Sequence, residues 1–222
     1  MELFLEIKNS QEIKNLFKEV LVKEKEEANF WAFHGETHIM NVVNFVERVS
    51  KLLNYDEEFV MQTKIAALLH DFGMIYGKEG HAEKSYEIAK KYFEENNIQT
   101  GNNEMILDAI LNHSDGFGRN NKIAAILMFA DKIDVKKDRI APMGYDIPGM
   151  REVQYIEDIA INIINNELTI NFIVKEEANK QEIEEFYFFE KIFKSIKAFA
   201  KENNLTYLVY YNDENWHLAN NI

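Results

Sequence analysis

The hydrophobic period of this chain changes once, and that change bounds what it can fold into. Both prolines lie in "APMGYDIPGM", residues 141–150. Before this stretch the pattern is helical. Val42, Val43, Phe45, Val46, Val49 and Leu52-Leu53 recur at helical spacing. A second run goes from Phe59 through Ile65, Ala66, Leu68 and Leu69, and Gly73 is placed to stop it. "HAEKSYEIAKKYFEENN", "EMILDAILNHS" and "KIAAILMFADKID" read as further amphipathic helices. After the stretch the period drops to two. Ile159, Ile161 and Ile163 alternate, as do Leu168, Ile170, Phe172 and Val174, and Asn165-Asn166 between them reads as a tight hairpin. Asn179 with Glu182 resembles a helix cap, Phe186, Phe189, Phe193, Ile196 and Ala200 form one helical stripe, and "LTYLVYY" closes as a strand. The stripe reads as core. The expected fold is mainly α: a helical domain over 1–140, a linker or lid over 141–150, and a small α+β appendage (β-hairpin, helix, strand) over 151–222.

Composition narrows the chemistry. The chain has no cysteine, so disulfides and thiolate metal sites are out, and a cytoplasmic location fits. Any metal must be held by His, Asp and Glu. The net charge of −13 repels polyanions at long range, which argues against a nucleic acid polymer as partner. It leaves room for a small phosphate ester whose charge a metal or local cations neutralise. No apolar stretch approaches the length of a membrane span, and "MELFLEIKNS" lacks the features of a signal peptide, so no membrane partner is expected.

Three familiar motifs fail on context. Asp71-Phe72-Gly73 spells the magnesium-binding triplet of a protein kinase, but no His-Arg-Asp loop precedes it, and residues 1–69 contain one glycine, Gly35. His34 and His38 in "HGETH" would share a helical face, but a zincin needs glutamate where Gly35 stands. His34-Gly35-Glu36 matches half of a zinc deaminase motif, whose other half needs two cysteines. What remains is a dispersed set: His38, His70-Asp71, His81, His113 and Asp131. His70, His113 and Asp131 fall near the ends of apolar helical runs, where an inward polar group must find a partner. Imidazole plus carboxylate suits Zn, Fe, Mn or Ni, Mg stays open, and the mixture does not choose among them.

The order of this set resembles the HD superfamily of metal-dependent phosphohydrolases. "HGETHIMNVVNFV" carries the first histidine and "AALLHDFG" the His-Asp pair. "HAEKSYEIA" and "ILNHS" carry two further histidines, and "AAILMFADKID" carries the last aspartate. The resemblance covers roughly residues 30–140. It implies an all-α HD-domain helical bundle with a site for one or two divalent metal ions between the helices. His38, His70, Asp71 and Asp131 would be the primary ligands. His81 and His113 would hold a second ion, with Asp71 bridging both and so carrying the catalytic role. His34 reads as a supporting residue at most, and His217 as a surface one.

The resemblance has one departure. Three residues after Asp71 many family members carry lysine or another polar group, and here that position is Met74. A thioether cannot donate a proton or carry charge. The nearest replacement in sequence is "ADKIDVKKDRI". If the helix continues there, Lys132, Lys136 and Arg139 are spaced i, i+4 and i+7 and form one basic stripe for a phosphate. The expected activity is metal-dependent hydrolysis of a small phosphorylated metabolite or nucleotide. The alternative is a metal- and nucleotide-binding regulatory module with little turnover. Either activity is compatible with a homodimer.

Overall fold

The computed structural model describes residues 1–26, 30–114 and 120–222. These divide into two compact units, Met1–Glu27 with His34–Asp131, and Ala28–Phe33 with Lys132–Ile222. The division therefore falls between Asp131 and Lys132, upstream of the proline-containing stretch.

The first unit is helical. Its elements are α1 (Glu2–Asn9), α2 (Gln11–Glu26), α3 (Glu36–Leu52), α4 (Glu57–Leu69), α5 (His81–Glu95), α6 (Asn103–Leu111) and α7 (Lys122–Ile133) as far as Asp131. A short 3-10 helix, Phe72–Tyr76, follows α4. Every residue from Gln62 to Leu69 of α4 and from Ile123 to Ala130 of α7 is buried. A helix apolar all round belongs in the centre, and α1, α3 and α6 pack on α4. The side chain of Asp56 caps α4 by accepting from Phe59 N at 2.8 Å, and Asn121 caps α7 by accepting from Ile123 N at 3.0 Å. The one lysine of the central helix, Lys64, is paired with Glu47 of α3 and lies 4.5 Å over the Phe4 ring. The two N-terminal helices had no counterpart in the periodicity reading.

Helix α7 stops at Ile133, so the expected continuation does not occur. Ile133, Asp134 and Val135 are all buried. Lys136 is extended, and a three-residue 3-10 helix spans Lys137–Arg139. Lys132, Lys136 and Arg139 therefore do not form an i, i+4, i+7 stripe. Lys132 and Lys136 are half-buried, and Arg139 is buried.

The second unit is α+β. Ala32 bridges Ile140 in antiparallel fashion, and 3-10 helices span Pro142–Asp146 and Arg151–Tyr155. Then come β1 (Ile156–Ile164), β2 (Glu167–Val174), α8 (Lys180–Glu185), α9 (Tyr187–Glu202), β3 (Thr206–Tyr211), β4 (Glu214–Asn215) and α10 (His217–Asn220). The sheet order is β1-β2-β3-β4. β1 and β2 form the expected hairpin, and the α8–α9 crossover lets β3 run parallel to β2. Phe189, Phe193, Ile196 and Ala200 of α9 are buried as core, while Phe186 sits at the cap before the helix. Trp216 closes this core edge-on to Phe193 and donates its indole N–H to Glu184 at 2.7 Å. Asn179 caps α8, accepting from Glu182 N at 3.3 Å. Among the described residues no helix is long and apolar enough to cross a membrane.

The hairpin turn is testable. Asn165 and Asn166 have φ of 50° and 62°, the pattern of a type I′ turn between Ile164 and Glu167. Asparagine tolerates this region and alanine does not. Asn166→Ala is expected to lower stability by about 1–2 kcal/mol in urea titration, and Asn166→Gly to leave it equal or higher.

Candidate metal centre

The six residues singled out in the sequence come together in the first unit. His38 lies in the first turns of α3, His70 caps the C-terminus of α4, and Asp71 opens the 3-10 helix. His81 is the first residue of α5, His113 follows α6, and Asp131 lies in the last turn of α7. Two groups of potential ligand atoms result, each with its atoms within 4.8 Å of one another: His38, His70, Asp71 and Asp131, and Asp71, His81 and His113.

Asp71 belongs to both groups and divides its oxygens between them. Oδ2 lies 3.3 Å from Nε2 of His38 and 3.3 Å from Nε2 of His70. Oδ1 lies 3.5 Å from Nε2 of His81 and 3.4 Å from Nε2 of His113. Oδ1 of Asp131 completes the first group, 3.2 Å from His38 Nε2 and 3.8 Å from His70 Nε2. Two donors each about 2.1 Å from one ion are about 3.0 Å apart at a right angle and about 3.4 Å apart at the tetrahedral angle. The His38 contacts and those of His70 and His113 to Asp71 fall in that range, while His81 to Asp71 at 3.5 Å and His70 to Asp131 at 3.8 Å are wider.

The tautomers are fixed from behind. His70 Nδ1 lies 2.7 Å from the carbonyl of Ala67, His81 Nδ1 2.9 Å from that of Lys78, and His113 Nδ1 2.7 Å from that of Ile110. Each carbonyl lies three residues upstream of its histidine. A carbonyl only accepts, so each Nδ1 carries a proton, and once the ring is neutral its Nε2 lone pair faces forward. The His81 and His113 Nε2 atoms then face each other at 3.0 Å, two lone pairs with no proton between them. His70 Nε2 and Asp71 Oδ2 are buried and make no hydrogen bond. Lone pairs and carboxylate oxygens converging without donors are what a cation requires, so the residues fit a divalent ion.

The electrostatics agree. Burial pushes His70 down, but the negative charges of Asp71 and Asp131 outweigh it and hold the ring up to about 10. Burial opposes ionisation of Asp71, yet His70 and the other imidazoles hold its carboxyl well below the usual range. Burial lowers His81 and favours the neutral ring that a metal needs. Solvent reaches the centre mainly at Asp131 and His81, whose side chains are 10% and 19% exposed.

Some supporting residues carried no signal in the sequence. Glu24 of α2 is buried, accepts a hydrogen bond from His34 N, and lies 4.0 Å from His34 Nδ1. Gly35 makes room for it, since a Cβ there would sit 2.9 Å from Glu24 Oε2. His34 itself precedes α3, so His34 and His38 do not share a helical face, and their ring centroids are 6.0 Å apart. Gly73 does not stop α4, which ends four residues earlier. It allows the 3-10 helix to meet α5, where a Cβ would lie 2.0 Å from His81 O, and its N–H bonds Ser85 Oγ at 2.8 Å. His217 is exposed, as expected.

Met74 is 1% exposed, in the 3-10 helix that starts beside Asp71. The position is core in this chain. Met74→Lys is expected to destabilise the protein, by a lower melting temperature with and without metal, because it buries an unpaired ammonium. An unchanged melting temperature would mean that the site can receive a cation after all.

The HD-domain family model matches residues 35–136 of the chain. No curated protein matches it. The matched span begins one residue before α3 and contains all six residues of the centre. Residues 35–136 are therefore similar to an HD domain, and they contain a His/Asp cluster that could hold a metal.

Proposed function

We propose that the HD domain is a metal-dependent phosphohydrolase acting on a small phosphomonoester or nucleotide. The observation that carries this reading is the convergence of the His70, His81 and His113 Nε2 lone pairs on the two oxygens of Asp71. His38, His70, Asp71 and Asp131 would hold one divalent ion, and Asp71, His81 and His113 a second. Bound there, such ions supply charge neutralisation for phosphoryl oxygens and acidify a water for in-line attack. Asp71 acts as the shared carboxylate that fixes the spacing of the two sets of ligands. Asp131 and His81 border the solvent-facing side, where a substrate would approach. Lys132 and Lys136, one and five residues beyond Asp131, are proposed to draw the phosphoryl group electrostatically. Met74 cannot protonate a leaving group, which favours esters whose leaving oxygen needs little help.

The same methionine favours a second reading, a metal- and nucleotide-binding regulatory module with little turnover. Phosphate release from a panel of nucleotides and sugar phosphates, with Mn or Co added, separates the two. Release that Asp131→Ala abolishes is the expected result. Nucleotide binding without release would support the regulatory module.

Metal binding should also release a proton. His70, held up to about 10, is protonated at neutral pH in the metal-free chain and must lose that proton to ligate. Calorimetry in buffers of different ionisation enthalpy is expected to report about one proton released near pH 7.5. Affinity should rise about tenfold per pH unit in that region. A pH-independent affinity between 6 and 8 would remove His70 from the ligand set.

A further inference from the structure

Of the charged side chains buried in this chain, Glu24, Lys64 and Glu152 have close polar partners. Glu24 accepts from His34 N, Lys64 is paired with Glu47, and Glu152 accepts from Asn179 N at 2.6 Å. Arg139 is 9% exposed, and its Nη1 is fully buried and makes no hydrogen bond. No carboxylate among the described residues forms an ion pair with it, although the chain has 38 acidic residues. A guanidinium cannot escape this cost by losing its proton, so it needs an anion.

The backbone around Arg139 is fixed on both sides. Arg139 N donates to Lys136 O at 2.8 Å, and Arg139 O accepts from Phe33 N at 2.8 Å. The next residue, Ile140, bridges Ala32, and Ala141 N donates to Trp31 O at 2.9 Å. The side chain therefore springs from a frame that a ligand need not order. The local charge is also unlike the rest of the molecule. Residues 132–139 carry four cations, Lys132, Lys136, Lys137 and Arg139, against two acids, Asp134 and Asp138, on a chain of net charge −13.

We propose that Arg139 anchors an oxyanion-binding site on the second unit, and that its ligand is a phosphoryl group gripped bidentately by the guanidinium. A phosphoryl dianion matches the fork of the guanidinium. The site is complete without a metal. It shares with the proposed hydrolase the chemistry of the ligand and the neighbouring Lys132 and Lys136, but Arg139 is outside the metal centre, so either can fail alone. The phosphoryl group could come from the substrate or product of the HD domain, or from a separate phosphorylated ligand.

The test is thermal unfolding of the full chain, metal-loaded and chelated, titrated with inorganic phosphate at constant ionic strength. Wild type is expected to gain about 3 °C at phosphate near ten times its Kd, in the chelated form as well. Arg139→Met should melt at the same temperature as wild type or higher without phosphate, since an uncompensated buried charge has been removed. It should lose the phosphate response and keep the response to Mn. Arg139→Lys should keep part of the phosphate response. If Arg139→Met fails to fold or melts lower without phosphate, the guanidinium is a structural group and the proposal is overturned. A full phosphate response in Arg139→Met overturns it equally. A response that depends on Mn assigns the phosphate to the HD domain and also overturns the separate site. If the chelated response stands, addition of a nucleoside monophosphate distinguishes the sources: a larger shift than phosphate alone points to an organic phosphate ligand, an equal one to the phosphoryl group itself.

Discussion

The first unit depends on how Asp71 is buried. A carboxylate taken out of water loses several kcal/mol of hydration unless opposite charge replaces it. Here the side chain is almost wholly enclosed, and what surrounds it is four imidazoles drawn from α3, α5 and the ends of α4 and α6. Neutral imidazoles whose Nδ1 protons face backward cannot solvate a carboxylate. Only a proton or a cation at the centre closes the balance. The charge that balances Asp71 is therefore a proton on His70 or a cation held by the same side chains.

Helix ends make this arrangement possible. α4, α6 and α7 deliver His70, His113 and Asp131 at their C-termini. The last carbonyls of a helix lack partners within it, and those of Ala67 and Ile110 are spent on turning the imidazoles. The same ends carry the negative pole of the helix dipole, so three of them near one point favour a cation there. Burying α4 and α7 on every face is what places their ends at the interior rather than at the surface.

The parts of this design differ in how plainly the sequence shows them. An ordered series of histidines and aspartates at the ends of apolar runs can be read directly, because each polar residue interrupts a pattern that burial imposes. The hairpin can be read for the same reason, with two asparagines between alternating apolar runs. The end of α7 could not be read from helical spacing, since Lys132, Lys136 and Arg139 fit a helix, whereas α7 ends at Ile133 and Lys136 is extended. The backbone partners Ala67, Lys78 and Ile110 are invisible because a carbonyl has no letter. Gly73 looked like a helix stop, and only the nearness of α5 shows that its missing side chain is what matters.

Phe72 makes the same point about Asp71-Phe72-Gly73. Its ring is buried edge-on against Phe17 of α2 at 5.1 Å, so it belongs to the packing of the helical unit. Asp71 faces the imidazoles, Phe72 the core and Gly73 the backbone of α5. Three adjacent residues serve three separate constraints because a 3-10 turn sends successive side chains about 120° apart. The triplet has the letters of a kinase loop. Its chemistry comes from the helix that ends just before it and the helix that starts eight residues after it.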